Sequence, residues 1–325
     1  IKNTKITFLK FYQVFKTIKN YLIIMLSQKL LLIPLLWLTF ACKKTTQSEN
    51  QDSTKTANTK KSVKPTDLPP PTKQYKKIVT IGKTITQIVF ALGEGKKVVA
   101  VDRKSSQDSL PLVGYGRILR SELVLKHEPD LVLSDVEGSS EEIMNDVAAE
   151  NIDYIRYHNS PSVDSTKALI RKIAWQLNKK RRGEKLIATI DSTLNTIPNI
   201  KKDRKDTVRV MYVMARGANL VMAGQKTPGD AIIQLAIAKN ATNALAIEGM
   251  KRLTPEVMMR ANPDYILMSD KSWNSVASKI FEIPALFDSR ARRLGRIIHM
   301  DEHALTGFGL DTPKAAAELC KKLYK

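Results

Sequence analysis

Cysteines and histidines are few in this 325-residue chain, and no two of them stand together. The two cysteines, Cys42 and Cys320, sit at opposite ends, so neither a disulfide framework nor a thiolate metal site has the close spacing it needs. The four histidines, His127, His158, His299 and His303, form no cluster with them. There is no Gly-x-x-x-x-Gly-Lys phosphate loop, no Gly-x-Ser-x-Gly and no His-Glu-x-x-His. Nothing sets a nucleophile against a base. The chain reads as a protein that is not an enzyme and uses no catalytic cofactor, so its chemistry is expected in binding.

Charge narrows the partners. The net charge is +21, yet six lysines and no acid fall within residues 1–42. The remaining basic residues alternate with acids along helical segments, as on a solvated surface. Aromatic residues make up 6% of the chain, too few for base-stacking platforms. No nucleic-acid partner is expected.

Those first residues read as an address. Met25 to Ala41 has a short basic start, an apolar centre of about a dozen residues and a small residue before Cys42. Such a run is too short to span the hydrocarbon core as a helix. It resembles a bacterial lipoprotein signal, with Cys42 as the acylated residue, although Thr39 stands where the pattern favours Leu. Residues 1–24 are expected to be an upstream segment. Residues 42–75, rich in Lys, Thr, Ser and Asn and ending in Pro69-Pro70-Pro71, are expected to tether a folded body to a membrane. The expected location is the periplasm or cell envelope.

The elements that must position any binding residues start at Lys76. Ile78-Val-Thr-Ile81 and Val98-Val-Ala-Val101 read as strands around a helix at Thr84–Leu92, and the alternation continues through Leu131-Val-Leu133, Glu141–Glu150 and Tyr154-Ile155. This is the pattern of a parallel α/β sheet. A long helix is expected over 162–200, with a possible break at Gly183, before strands and helices resume at Val208–Val213, Asp230–Ala238, Tyr265–Met268, Ile297–Met300 and Pro313–Leu323. Leu119–Asp135 also aligns without gaps on Leu253–Ser269, with Leu119/Leu253, Glu122/Glu256, Pro129/Pro263, Asp130/Asp264 and Leu133/Leu267 identical. The echo implies an α/β fold of two Rossmann-like lobes, 76–161 and 201–325, joined by a long rigid helix.

Two such lobes behind a lipoprotein-like signal resemble the helical-backbone periplasmic binding proteins of ABC importers, which serve haem, cobalamin and iron–siderophores. The motifs are Ile78-Val-Thr-Ile-Gly82, Thr86-Gln-Ile-Val-Phe-Ala-Leu-Gly93, Val101-Asp102, Leu112-Val-Gly-Tyr-Gly-Arg117, the Pro-Asp strands, and Gly307-Phe-Gly309 with Thr312-Pro313. Val-Gly-Tyr-x-Arg is similar to the haemin-binding branch, though Arg120 interrupts the Leu-Ser-x-Glu that follows there. Cobalamin or a ferric siderophore stays open as the cargo, and an anchored adhesin or scaffold as the remote alternative.

The resemblance implies particular roles. Tyr115 maps onto the axial haem-iron ligand, and a phenolate is a hard donor suited to ferric iron. Arg117 and Arg216 are candidates for the propionates, since a guanidinium forks onto a carboxylate. Some relatives supply a second-ligand histidine near position 216, where this chain has arginine. His303, in a loop expected to face the cleft, is the candidate second ligand or ring contact, and Met222, Met250 and Phe308 are candidates to pack against the porphyrin face. Glu122 and Glu256 map onto one docking acid per lobe for a permease dimer with its ATPase subunits, and a monomer is expected. Among the other histidines, His127 is expected to be exposed in a turn, His158 structural and His299 in the core.

Overall fold

The computed structural model describes residues 73–105, 109–202, 206–217, 219–276 and 289–324. The upstream segment 1–24, the signal 25–41, Cys42 and the tether up to residue 72 lie outside the described residues.

In the first lobe, β1 (Ile78–Ile81), β2 (Val98–Val101), β3 (Leu131–Asp135) and β4 (Asp153–Tyr157) form a four-stranded sheet in the order β2-β1-β3-β4. Every pairing is parallel. β1 is buried from end to end and β3 up to Asp135, so both read as unbroken apolar runs. Side chains alternate between two cores. Ile78, Leu131 and Leu133 pack with Ile85, Ile88 and Val89 of α1 (Lys83–Ala91). Val79, Ile81 and Val132 pack with Val124 of α2 (Ser121–Leu125) and Val147 of α3 (Glu141–Ala149).

The expected single helix over 162–200 is two helices, α4 (Val163–Gln176) and α5 (Lys180–Lys201). The chain breaks at Leu177–Lys179, where Asn178 takes a φ of 54°, and not at Gly183. The cause is tertiary. Buried Glu94 of the first lobe holds Lys179 at 2.7 Å, and Arg182 donates to the Leu92 carbonyl at 2.8 Å. Gly183 lies inside α5, where a Cβ would come 2.6 Å from the Ala174 Cβ, so glycine here permits close packing of α4 on α5. α4 belongs to the first lobe through Leu169, Ile170 and Ile173. α5, at 22 residues and about 33 Å, is the true backbone: Ile187 and Ile190 enter the first core and Ile197 the second.

The second lobe contains β5 (Arg209–Arg216), β6 (Asn219–Ala223), α6 (Pro228–Leu235), β7 (Lys239–Asn240), β8 (Met250–Arg252), α7 (Pro255–Ala261), β9 (Tyr265–Ser269), α8 (Asp270–Val276), α9 (Arg290–Arg293), β10 (Ile297–Met300), α10 (Glu302–Thr306) and α11 (Thr312–Leu323). Its six-stranded sheet runs β10-β9-β5-β6-β8, with β7 beside β5. β10, β9, β5 and β7 pair in parallel, whereas β6 runs antiparallel to both of its neighbours, β5 and β8. The parallel pattern expected throughout therefore gives way here. A tight reversal between Arg216 and Asn219, with Gly217 at φ 58°, sends the chain straight back along β5.

The internal echo has a physical cause. The Asp130 carboxylate accepts the backbone N–H groups of Lys76 (2.7 Å) and Lys77 (3.0 Å) just before β1. Asp264 accepts the N–H of Arg209, which opens β5, at 2.9 Å. In return the N–H of Asp130 donates to the Lys77 carbonyl, and that of Asp264 to the Arg209 carbonyl. Each Pro-Asp turn thus fixes the start of its lobe's first strand, around which the parallel part of each sheet is built.

Candidate functional site

In open α/β sheets ligands gather beyond the carboxyl ends of the strands. At that edge of the first lobe, Gly82 follows β1, Asp102 follows β2 and Asp135 ends β3. The Asp102 carboxylate accepts the Gly82 N–H (2.9 Å), the Lys104 N–H (2.9 Å) and the Ser105 hydroxyl, shaping the turn Arg103–Ser105. Gly82 has a φ of 113°, and a Cβ there would come 2.3 Å from an Asp135 oxygen, so any other residue would push the carboxylate away.

Tyr115 reaches into this edge from the loop after β2. Its hydroxyl donates to Asp135, with both carboxylate oxygens 3.2 Å away, and the Asp135 carboxylate also accepts the Gly138 N–H at 2.5 Å. The turn is tied down by the Gly116 N–H donating to the Gly138 carbonyl at 2.8 Å. Gly114 adopts φ 94°, and a Cβ there would crowd the Ile118 carbonyl at 2.9 Å. The Lys104 ammonium lies 3.9 Å from the centre of the Tyr115 ring, a cation–π contact that covers one face.

Electrostatics define the resting state. Burial first, and then the carboxylates of Asp135, Glu137 and Asp102, hold the Tyr115 phenol well above its ordinary range. Burial pushes Asp135 up to about 6, opposed by the hydrogen bonds from Gly138 and Tyr115 and reinforced by the charges of Asp102 and Glu137. Without a cation the phenol keeps its proton. A ferric centre at the oxygen would supply the positive charge that phenolate ligation requires.

The second lobe meets this edge beyond the end of β1. Asp135 touches Gly82, and the next residue, Lys83, has its ammonium lowered by burial against the pull of Asp311, Asp301 and Glu302 from the second lobe. Three hydrogen bonds join the lobes alongside. The Phe308 carbonyl accepts from Thr84 (3.2 Å) and Asn159 (3.0 Å), and Gln87 donates to Asp311 at 2.7 Å.

The other candidates fall in different places. Arg117, exposed, lines a recess of about 590 Å³ on the first lobe together with Glu122, Glu137, Glu142 and Asp146. That recess brings a ligand candidate and a docking candidate into one wall. Arg216, exposed at the end of β5, stands on the second lobe, where it and Glu302 both act on buried Tyr212. Phe308 is not placed as a ring contact: its side chain is 6% exposed and packs in the second lobe's core with Met300 and Leu305, which leaves only its carbonyl at the junction. Met222 is likewise fully inside. His303 is the second residue of α10, but its side chain lies outside the described part of the structure. Glu122 and Glu256 are both exposed in the first turns of α2 and α7.

His299 departs from expectation. It is exposed, its Nδ1 lies 2.7 Å from Asp270, and its ring stacks on Trp273 at 5.4 Å. His127 is half-buried with its Nε2 unpaired, whereas His158 is exposed beside Ser160. Lys104 and Asp135, which grip Tyr115, were not singled out from the sequence. Asp135 carried a usable signal, since it is the polar residue ending a buried parallel strand.

Comparison with known proteins bears on the family and the fold. The profile of the periplasmic binding protein family matches residues 78–304. The apo periplasmic heme-binding protein RhuT of Roseiflexus sp. RS-1 superposes with a TM-score of 0.72 at 32% identity, covering 77% of this chain and 98% of that one. HutB, the periplasmic heme-binding protein of Vibrio cholerae, gives 0.70 at 27% identity, over 77% of this chain and 99% of its own. YvrC of Bacillus subtilis, an uncharacterized ABC transporter substrate-binding lipoprotein, is 24% identical over 263 residues, which is 78% of this chain and 81% of that protein. With two lobes, a helical backbone and a matching profile over most of its folded body, the chain belongs to the periplasmic binding protein family.

Proposed function

We propose that the protein captures haem in the groove between its lobes and delivers it to an ABC importer. The observation that carries this reading is Tyr115: a half-buried phenol between two glycines, at the carboxyl edge of the first sheet. Likeness to RhuT and HutB, whose names record heme binding, supports the same cargo. Arg117 and Arg216 are the propionate partners in this reading, His303 the second axial ligand, and Glu122 and Glu256 the two contacts with the permease. Cys42 carries the lipid anchor on a periplasmic monomer, a reading supported by the lipoprotein relative.

The test is a haemin titration followed by absorbance. Wild-type protein is expected to give a Soret band with the charge-transfer features of a ferric tyrosinate, and Tyr115→Ala to lose those features. A variant with the wild-type spectrum would remove Tyr115 as the ligand. In a reconstituted importer, Glu122→Ala with Glu256→Ala is expected to abolish stimulation of the ATPase while haemin binding stays intact.

A further inference from the structure

The first sheet has a second edge, at the opposite end of its strands from Tyr115. Ile78 pairs with Val98 and with Leu131, and Leu131 pairs with Asp153, so β2, β1, β3 and β4 start in line. Three strand spacings of about 4.8 Å make this amino edge about 14 Å wide. The chain also enters the lobe here, since Lys76 and Lys77 lead directly into β1.

Basic residues crowd this edge. Lys96 and Lys97 stand in the turn before β2, and Lys126 ends α2 shortly before β3. Two contacts bring the start of α5 to the same place: Lys179 reaches Glu94, which also holds Lys97 at 2.6 Å, and Arg182 reaches the Leu92 carbonyl. Lys180 and Arg181, between them in sequence, are exposed. Most acids of the edge are already engaged. Glu94 is buried between its two lysines, and Asp130 accepts the N–H groups of Lys76 and Lys77. Glu128 pairs with Lys77 at 2.8 Å and Asp153 with Lys73 at 2.9 Å. Among the described residues, Lys76, Lys96, Lys126, Arg181 and Arg182 are exposed and pair with no carboxylate. Glu150, toward the β4 flank, is the exposed acid of this edge left without a cation.

Connectivity and charge together name the occupant. Residues 43–72 join this edge to Cys42 and extend at most about 110 Å. An anchored body therefore stays close to its bilayer, and at such an effective concentration a weak attraction is enough. Cationic side chains spread over the width of a sheet suit a flat anionic surface better than a small anion, and each one within about 10 Å of the headgroups adds to the attraction. Resting on the reading of Cys42 as a lipid anchor, we propose that the amino edge of the first lobe lies on the anionic headgroups of the bilayer that holds the anchor. The four strands all run from this edge to the one that carries Tyr115, so lipid contact here turns the Tyr115 edge away from the bilayer.

The experiment floats the full chain on vesicles of phosphatidylcholine alone and of an equal mixture with phosphatidylglycerol. Wild type is expected to bind the anionic vesicles about tenfold more tightly at low salt, and to lose that preference at high salt. Lys96→Glu with Lys126→Glu and Arg181→Glu is expected to weaken the anionic binding about tenfold or more, with haemin binding unchanged. A control makes the same change in net charge on exposed residues of the second lobe: Lys251→Glu with Arg252→Glu and Arg260→Glu. It is expected to stay within about twofold of wild type, because screening confines the effect to charges near the lipid. Far-UV circular dichroism with a urea midpoint verifies each fold. Equal binding to both vesicles, equal losses in the two triple variants, or a first-lobe variant that matches wild type overturns the proposal. The anchor is read separately, from the mass of the chain extracted from cell membranes: an unacylated Cys42 overturns the anchor reading, whatever the vesicles show.

Discussion

The two lobes share one unit and use its end differently. Leu119–Asp135 and Leu253–Ser269 both run helix, Pro-Asp turn, buried strand, and in both the turn aspartate pins the opening of the lobe's first strand. At the last position they diverge. Asp135 turns a carboxylate toward Tyr115, whereas Ser269 accepts the Ser272 N–H at 3.2 Å inside α8. Scaffold positions are held in common, and the position at the open edge is free to change. The second lobe uses that freedom to stabilise its own helix, the first to hold the Tyr115 phenol.

The largest expected effect tests whether the first lobe's edge is as constrained as its geometry implies. Gly82→Ala places a Cβ against Asp135 at a positive φ and is expected to destabilise by about 3 kcal/mol, read from a urea midpoint with an unchanged slope. A near-silent substitution would break the claim that this edge is rigid.

Next come the paired pins. Asp130→Ala and Asp264→Ala each remove a charged acceptor from strand-opening N–H groups, and each is expected to lower stability by about 2 kcal/mol. A large effect in one lobe and none in the other, in matched thermal melts, would show that the echo is not mechanically equivalent.

Asp135 sharpens the contrast through pH. Its carboxyl is raised from an ordinary 3.8 to about 6 in the folded protein. A raised carboxyl binds its proton more tightly folded than unfolded, so stability is gained as pH falls from about 6 toward 4 and is lacking above that window. Between pH 7 and 4 the wild type is expected to gain about 2 kcal/mol relative to Asp135→Asn. Urea midpoints at both pH values check this, and parallel curves would contradict it.

The smallest effect concerns the helix starts. Thr254 caps α7 by accepting the Val257 N–H at 3.3 Å, but the residue in that place before α2 is Arg120, which makes no side-chain cap. Thr254→Ala is expected to lower stability by about 1 kcal/mol, and Ser121→Ala by almost nothing, in differential scanning measurements.

These comparisons also show what the sequence could reveal. The echo was legible because local chemistry produced it: a Pro-Asp turn and a strand buried on both faces leave a mark in residue types. The glycines around Tyr115 were legible for the same reason. The break at Asn178 was not, because it depends on Glu94 reaching Lys179 across the lobe, a pairing no periodicity records. β6 and β8 were missed since short antiparallel segments give little alternation to read. Phe308 misled because a Gly-Phe-Gly string is equally suited to an open loop and to a ring turned into the core. Lys104 is one of 53 basic residues, and only the turn shaped by Asp102 places it over the tyrosine.

The junction at Phe308 limits how this molecule can move. Two donors from the first lobe converge on one carbonyl of the second, and Gln87 with Asp311 adds a third tie beside them. At about 1 kcal/mol for each such bond, a wide hinge swing would forfeit roughly 3 kcal/mol before any gain from closing on a cargo. The junction therefore resists a wide swing of one lobe against the other.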